Sequence, residues 1–291
     1  VDTPCQGGGF LGSAFDPFRI SVDADKQNYA VQELLLRDDL PTQRIQSRAE
    51  LLAHLQRNTP TNPQAAAGLE QYYGKAFQLL SAGKVQKALD LSEESTTTRE
   101  RYGVYQQAAP GSGNGAERGQ ARHMRGQNLL VARRLVEAGV PFVNVYDFRQ
   151  QGQNWDSHSQ NFVQHKDFLL PQADKALAAL IGDLDERGLL DSTLIVATGE
   201  FGRTPQINKD AGRDHWPDCY TVLLAGGGVQ GGAIHGASNG IGAYPATDPV
   251  TPADLAATIY WRFGLDPKEH IHDRTTRPWK LADGEPVRGL F

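Results

Sequence analysis

Between residues 162 and 225 a long helical pattern is followed by two short, continuous apolar runs, and this order constrains the fold more than any other feature. Phe162 to Arg187 reads as a helix, with Pro171 in its first half as a kink or restart and Gly188 as its stop. Ser192 to Thr198 (STLIVAT) is β-branched and apolar without alternation, the pattern of a strand covered on both faces. Tyr220 to Ala225 (YTVLLA) is a second such run. Upstream, a helix from about Glu117 to Glu137 stops at Gly139, and Pro141 to Phe148 (PFVNVYDF) is strand-like. Downstream, Thr251-Pro252-Ala253-Asp254 opens a helix to Phe263, with Thr251 as N-cap, Pro252 at the first helical position and Asp254 in the first turn. Strand–helix–strand order of this kind predicts an α/β core from about residue 118 onward.

The preceding chain is different. Residues 1–42 are irregular and carry Gly7-Gly8-Gly9 with scattered Pro and Asp. Helical spacing appears from Gln43 to Arg57, from Gln64 to Ser81 and, more briefly, from Val85 to Leu91. Residues 106–117 (QQAAPGSGNGAE) are the best linker candidate. The expected organisation is an irregular and helical segment over 1–117 packed on a core over 118–291, as one structural domain. The polar, Pro-rich residues from Asp266 onward are expected to wrap the surface.

A net charge of −5 gives no basic field for nucleic acid or for an anionic membrane surface. No apolar run approaches the roughly 18 residues that would span a membrane. Cys5 and Cys219 make neither a disulfide framework nor a cysteine-rich zinc site.

Three polar clusters stand next to the expected strands: Asn154-Trp155-Asp156-Ser157-His158, Gly199-Glu200-Phe201-Gly202-Arg203-Thr204-Pro205 and Gly212-Arg213-Asp214-His215-Trp216. Open α/β sheets bind ligands beyond the carboxyl ends of their strands, and the first two clusters lie there. The third joins them only if strand 220–225 runs antiparallel to strand 192–198, which the helix-free connection between the two permits. Together the clusters offer His158 and His215 with Asp156, Glu200 and Asp214. Two imidazoles and a carboxylate suit Zn²⁺, Mn²⁺ or Fe²⁺, and further carboxylates favour a second, harder ion such as Ca²⁺, Mg²⁺ or Mn²⁺. Arg203 and Arg213 are planar, permanently charged donors suited to a phosphate or sulfate.

Bland readings compete with these. Asp-x-His is common on surfaces, Gly-Arg-Asp-His can be a simple turn, and Trp155 and Trp216 suit packing better than substrate binding. His54, His123 and His165 fall in helical patterns as solvated or partly buried residues, and His270 and His272 have no partner motif. His235 follows a Gly-rich loop, and Gly226-Gly227-Gly228 lacks the Lys-Ser/Thr of a phosphate loop. No Gly-x-Ser-x-Gly elbow is present, and nothing marks Ser157 or Thr204 as activated. Metal-activated water is the nucleophile these residues best supply.

The motifs Trp-Asp-Ser-His (155–158), Gly-Glu-Phe-Gly-Arg-Thr-Pro (199–205), Gly-Arg-Asp-His-Trp (212–216), Leu-Leu-Ala-Gly-Gly-Gly (223–228) and Val-Thr-Pro-Ala-Asp-Leu (250–255) resemble the domain of unknown function family 1501. So do Gly-Phe-Leu-Gly near residue 9, Leu-Asp-Leu-Ser-Glu-Glu (89–94) and the helix end 132–140, so the likeness covers essentially the whole chain. The resemblance implies the alkaline phosphatase-like superfamily of sulfatases, phosphatases and phosphoglycerate mutases. With it comes a three-layer α/β core, mostly parallel sheet with helices on both faces, plus the helical segment. It also implies that Asp156 and His158 hold one metal with His215. Glu200 falls where relatives carry the Asp of an Asp-His pair for another metal, but Phe201 replaces that His, which favours one metal or an oxygen-rich second site.

Family members usually begin with an exported leader and a strand ending in a Met-Asp-Gly-Gly-Pro-Ser-like turn. Nothing in 1–42 matches it, so the chain is expected to be the C-terminal part of a longer protein or a variant without that strand. Export to the periplasm is implied by the resemblance alone.

The resulting expectation is a hydrolase acting on a small anionic phosphate or sulfate ester with one or two divalent ions (Zn, Mn or Ca). Asp156, His158 and His215 bind metal, Glu200 and Asp214 are second-metal ligands or orient the imidazoles, and Arg203 and Arg213 bind the anion. The alternative is a non-catalytic exported binding or scaffold protein with the same fold. An anion- or carbohydrate-binding module, resting only on the arginines and tryptophans, ranks last.

Overall fold

The computed structural model describes residues 7–12, 15–20, 44, 47, 50, 51, 54, 83–104, 120–146 and 155–291. The chain divides into two compact units, Val1–Ser95 with Arg134–Val143, and Thr96–Arg133 with Asn144–Phe291.

In the first unit, helix α1 (Gly83–Leu89) follows the periodicity expected near Val85 to Leu91. The anchor here is Arg134, whose guanidinium donates to Ala88 O at 2.9 Å, to Lys87 O, and to the carboxylates of Glu93 and Glu94. Residues 44, 47, 50, 51 and 54 are helical, as the pattern over 43–57 predicts. The expected helix 64–81 and the linker 106–117 lie outside the described residues.

Helix α2 (Thr96–Arg101) opens the second unit, and helix α3 (Gln120–Glu137) gives it the residues up to Arg133. A helical turn at Asn161–Val163 runs into a π-helical turn, Gln164–Leu169, and then into α4 (Leu170–Glu186). Pro171 sits in the first turn of α4, directly after the π-helical turn, and the helical backbone continues from Leu169 to Leu170 without a break. Buried Ala176, Ala179, Leu180, Asp183 and Leu184 form a stripe at the three-to-four spacing of an amphipathic helix. Asp183, inside that stripe, is paired with Arg133 at 2.9 Å and Arg187 at 2.7 Å, and accepts from the Tyr102 hydroxyl at 3.1 Å. Gly188, at φ 67°, ends the helix with paired bonds, Gly188 N–H to Asp185 O and Leu189 N–H to Leu184 O.

Strand β1 (Ile195–Ala197) pairs antiparallel with β4 (Leu223–Ala225), in the register Ile195 to Ala225. Between them β2 (Gly202–Arg203) pairs antiparallel with β3 (His215–Trp216), Arg203 opposite His215. The four pieces form one long, interrupted hairpin with residues 204–214 at its tip. The orientation expected of strands 192–198 and 220–225 is therefore correct.

The three-layer, mostly parallel sheet is not. The described residues hold four two-stranded antiparallel sheets, the remaining two being β5 (Ala237–Ser238) with β6 (Pro245–Thr247) and β7 (His270–His272) with β8 (Pro278–Lys280). A parallel pair needs a crossover of a dozen or more residues, usually helical. The connection after β1 instead turns back on itself through Gly202, Pro205 and Gly212, so β1 meets its partner directly. Residues 141–146, expected as strand, carry no ladder, and 147–154 lie outside the described residues. Two strands offer no face for two helical layers, and β1 is half-buried rather than covered on both sides.

Helix α5 (Pro252–Arg262) begins as the sequence predicts. Thr251 Oγ1 accepts from Asp254 N–H at 3.1 Å and Asp254 Oδ2 accepts from Thr251 N–H at 2.8 Å, a reciprocal cap. The other Asp254 oxygen accepts from Glu285 N–H, and Thr258 Oγ1 accepts from Val287 N–H, which ties the C-terminal segment along the helix.

Candidate metal centre

Two loops meet at this site. Residues 155–161 turn into the helix at Asn161, and the hairpin tip 204–214 lies beside them. The first N–H groups of a helix have no partner within it. Here Gln160 and Asn161 donate to Asp210 O and Ala211 O at 3.0 and 2.9 Å, so the tip satisfies them. Arg213 N–H donates to Ser157 O at 3.3 Å and Asn208 Nδ2 to His158 O at 2.9 Å. Gly212 lies against the same backbone; a Cβ there would stand 1.9 Å from His158 O. Only a residue without a side chain permits this approach, which carries His158 to His215.

Three ligand atoms converge as a result. Asp156 Oδ1 lies 3.0 Å from His158 Nε2 and 2.9 Å from His215 Nε2, and the two nitrogens are 3.2 Å apart. Asp214, which accepts but cannot donate when ionised, lies 2.8 Å from His158 Nδ1 and so places the imidazole proton there. His158 Nε2 is thereby left as a lone pair facing the other two atoms. Tetrahedral zinc with bonds of about 2.05 Å sets its ligands about 3.3 Å apart, so this set fits a cation after a small outward relaxation. Both histidines are about half exposed, at 45% and 49%, which leaves the cluster open to solvent.

Charge reinforces the geometry. Burial raises the Asp156 carboxyl, but hydrogen bonds from His215 and Arg203 and the Arg203 charge outweigh it and hold it down to about 2. The His158 bond lowers Asp214, with Asn208 Nδ2 at 3.3 Å adding to it. Asp156 is therefore an anion across the physiological range.

A family described as protein of unknown function (DUF1501) matches residues 2–291. The chain belongs to the DUF1501 family. No curated protein and no solved structure matches it.

Of the residues expected to form a site in this DUF1501 chain, Asp156, His158, Asp214, His215 and Arg203 are brought together. Arg203 Nη2 donates to Asp156 Oδ1 at 2.7 Å and Nη1 to Arg213 O at 3.2 Å. Arg213 Nη1 donates to Thr204 O at 2.9 Å, and its guanidinium lies 5.7 Å from the centre of the Phe162 ring. Glu200 is exposed and stands outside the Asp156–His158–His215 group. Phe201 packs its ring 4.3 Å from that of His215, as a wall.

Asn208 escaped the sequence reading. Its Oδ1 accepts from Asp210 and Gly212 N–H while its Nδ2 holds His158 O, so one side chain shapes the tip and grips the opposing loop. The available signal was an Asn four residues before a Gly between two polar clusters. His165, expected as a solvated or partly buried helical residue, is half-buried, and its Nε2 lies 3.1 Å from the buried Ser157 Oγ, a partner that expectation did not include. A helical periodicity says nothing of a partner eight residues away.

Proposed function

We propose that this DUF1501 chain binds a divalent metal ion through Asp156, His158 and His215 and acts as a hydrolase of phosphate or sulfate esters. One observation carries the reading: a carboxylate oxygen and two imidazole nitrogens face one another within 3.2 Å, with the His158 proton held on the far side by Asp214. Facing lone pairs repel unless a proton or a metal sits between them. Two histidines and one carboxylate are a donor set that binds zinc or manganese and leaves positions open. The motif resemblance to alkaline phosphatase-like enzymes adds to this at the level of the ligand residues, not of the sheet.

A bound ion would polarise an ester oxygen and lower the pKa of water beside it. The chain's own residues have separate tasks. Asp156 supplies the negative charge, Asp214 fixes the orientation and tautomer of His158, and Phe201 limits the swing of His215. Arg203, on the same carboxylate oxygen, adds positive charge at the rim where an anionic ester would approach.

A second reading, a metal-binding protein without catalysis, is favoured by the arginines. Arg203 and Arg213 both spend donors on the protein itself, on Asp156 and on backbone carbonyls. The test is elemental analysis after metal-free dialysis and reloading, with Asp156→Ala alongside, followed by a phosphatase and sulfatase screen of the loaded protein. About one equivalent of metal in the wild type, lost in the variant, with ester hydrolysis, upholds the proposal. Metal without hydrolysis favours the second reading, and no metal overturns both.

A further inference from the structure

Ser157 stands between Asp156 and His158 in the chain, and its side chain is almost completely buried, at 1% exposure. Its hydroxyl lies 2.6 Å from Asn161 Oδ1 and 3.1 Å from His165 Nε2. Since Asn161 Oδ1 only accepts, the hydroxyl proton points to it, and the N–H that completes the group comes from His165 Nε2. The carbonyl of Ser157 accepts from Arg213 N–H, two residues before His215. One residue is thus held by its side chain to the helix that follows and by its backbone to the hairpin tip that leads to the other histidine.

His165 reaches Ser157 from an unusual place. It is the second residue of the π-helical turn Gln164–Leu169, in which Leu170 N–H donates to His165 O, five residues back rather than four. The wider step alters where this side chain points relative to a regular helix, and π turns occur mostly as single turns at functional sites. Trp155, just before the ligand segment, packs edge-on to the His165 ring with centres 5.4 Å apart. Trp155, just before Asp156, and Ser157, between Asp156 and His158, therefore both bear on one imidazole.

We propose that His165 is a positioning residue for Asp156 and His158, acting through the Ser157 hydroxyl. Its consequence for metal affinity rests on the metal-binding reading above, but the placement itself does not. Removing the donor leaves a buried hydroxyl with one partner fewer and frees the turn to shift, as loss of an outer-shell hydrogen bond does around metal ligands generally.

The test uses the full chain with Ser157→Ala, His165→Leu, His165→Gln and Leu169→Ala. The first readout is the ¹H–¹⁵N imidazole resonances of His158 and His215 without metal. Those resonances should move in His165→Leu and Ser157→Ala and return in His165→Gln, whose amide N–H can replace the imidazole donor. Leu169→Ala, a buried apolar change in the same π turn, should lower the melting temperature without moving them. Unmoved resonances in His165→Leu overturn the proposal; should that variant not fold, Ser157→Ala decides in its place. The second readout is titration with Co²⁺ alone. His165→Leu should bind about 10- to 100-fold more weakly than wild type, with an altered visible spectrum, and wild-type affinity would overturn the affinity consequence. If the wild type takes up no Co²⁺, the metal reading falls, and the imidazole resonances still decide the role of His165.

Discussion

Asp214 Oδ1 lies 2.8 Å from His158 Nδ1, on the side of the imidazole away from His215 and Asp156. A carboxylate in that position turns an ordinary histidine into a fixed one, with its proton outside and its lone pair inside. Asp214→Ala should therefore weaken Co²⁺ or Zn²⁺ binding by about 10- to 100-fold while leaving the melting temperature of the metal-free chain nearly unchanged. Equilibrium titration with a competing chelator measures this, and an unchanged affinity would remove Asp214 from the site.

Gly212 makes a steric prediction. A methyl group there would meet His158 O at 1.9 Å and His158 C at 2.0 Å, and both are backbone atoms that cannot rotate away. Gly212→Ala should separate the hairpin tip from the 155–161 loop, abolish stoichiometric metal binding and cost roughly 1–3 kcal/mol of stability. Urea unfolding together with elemental analysis tests both parts. A stable variant that still binds metal would show the contact to be dispensable.

The buried pair of Arg133 and Asp183, 1% and 7% exposed, predicts a stability effect that does not involve the Asp156–His158–His215 cluster. Asp183→Asn leaves a guanidinium buried without its anion and should cost about 3–5 kcal/mol, measured as a fall in the urea midpoint. A change below 1 kcal/mol would mean that Arg133 finds water on relaxation.

The same pair sets a pH dependence. Burial raises the Asp183 carboxyl, but the Arg187 hydrogen bond and the Arg133 charge outweigh it, so its pKa in the folded chain lies below the ordinary value. Its stabilising contribution is then complete above the unfolded pKa of about 3.9 and is lost as pH falls through the lower, folded value. The stability difference between wild type and Asp183→Asn should be constant from pH 7 to about 5 and shrink below about pH 4. A difference that grows on acidification would reverse the assignment.

At the start of α5, Thr251→Ala removes the acceptor for Asp254 N–H, and Asp254 also holds the C-terminal segment through Glu285. A loss of about 1 kcal/mol is expected from the cap. Hydrogen exchange at Glu285 N–H should stay slow in Thr251→Ala and become fast in Asp254→Ala, which separates the two roles.

Local signals in the sequence determined the helix ends, the cap at Thr251 and the identity of the Asp156, His158, Asp214 and His215 cluster. Each depends on neighbours within a few residues, or on side-chain types whose chemistry is the same in any fold. Tertiary structure decided the rest. A parallel, layered sheet and a hairpin use the same apolar runs, and only the path of residues 198–222 chooses between them. Arg203 and Arg213 look alike as free cations in the sequence, yet one is spent on Asp156 and the other on Thr204 O. Asn208 and Gly212 bear on the cluster because hydrogen bonds and close backbone approach act across space, and no periodicity records a contact between segments fifty residues apart.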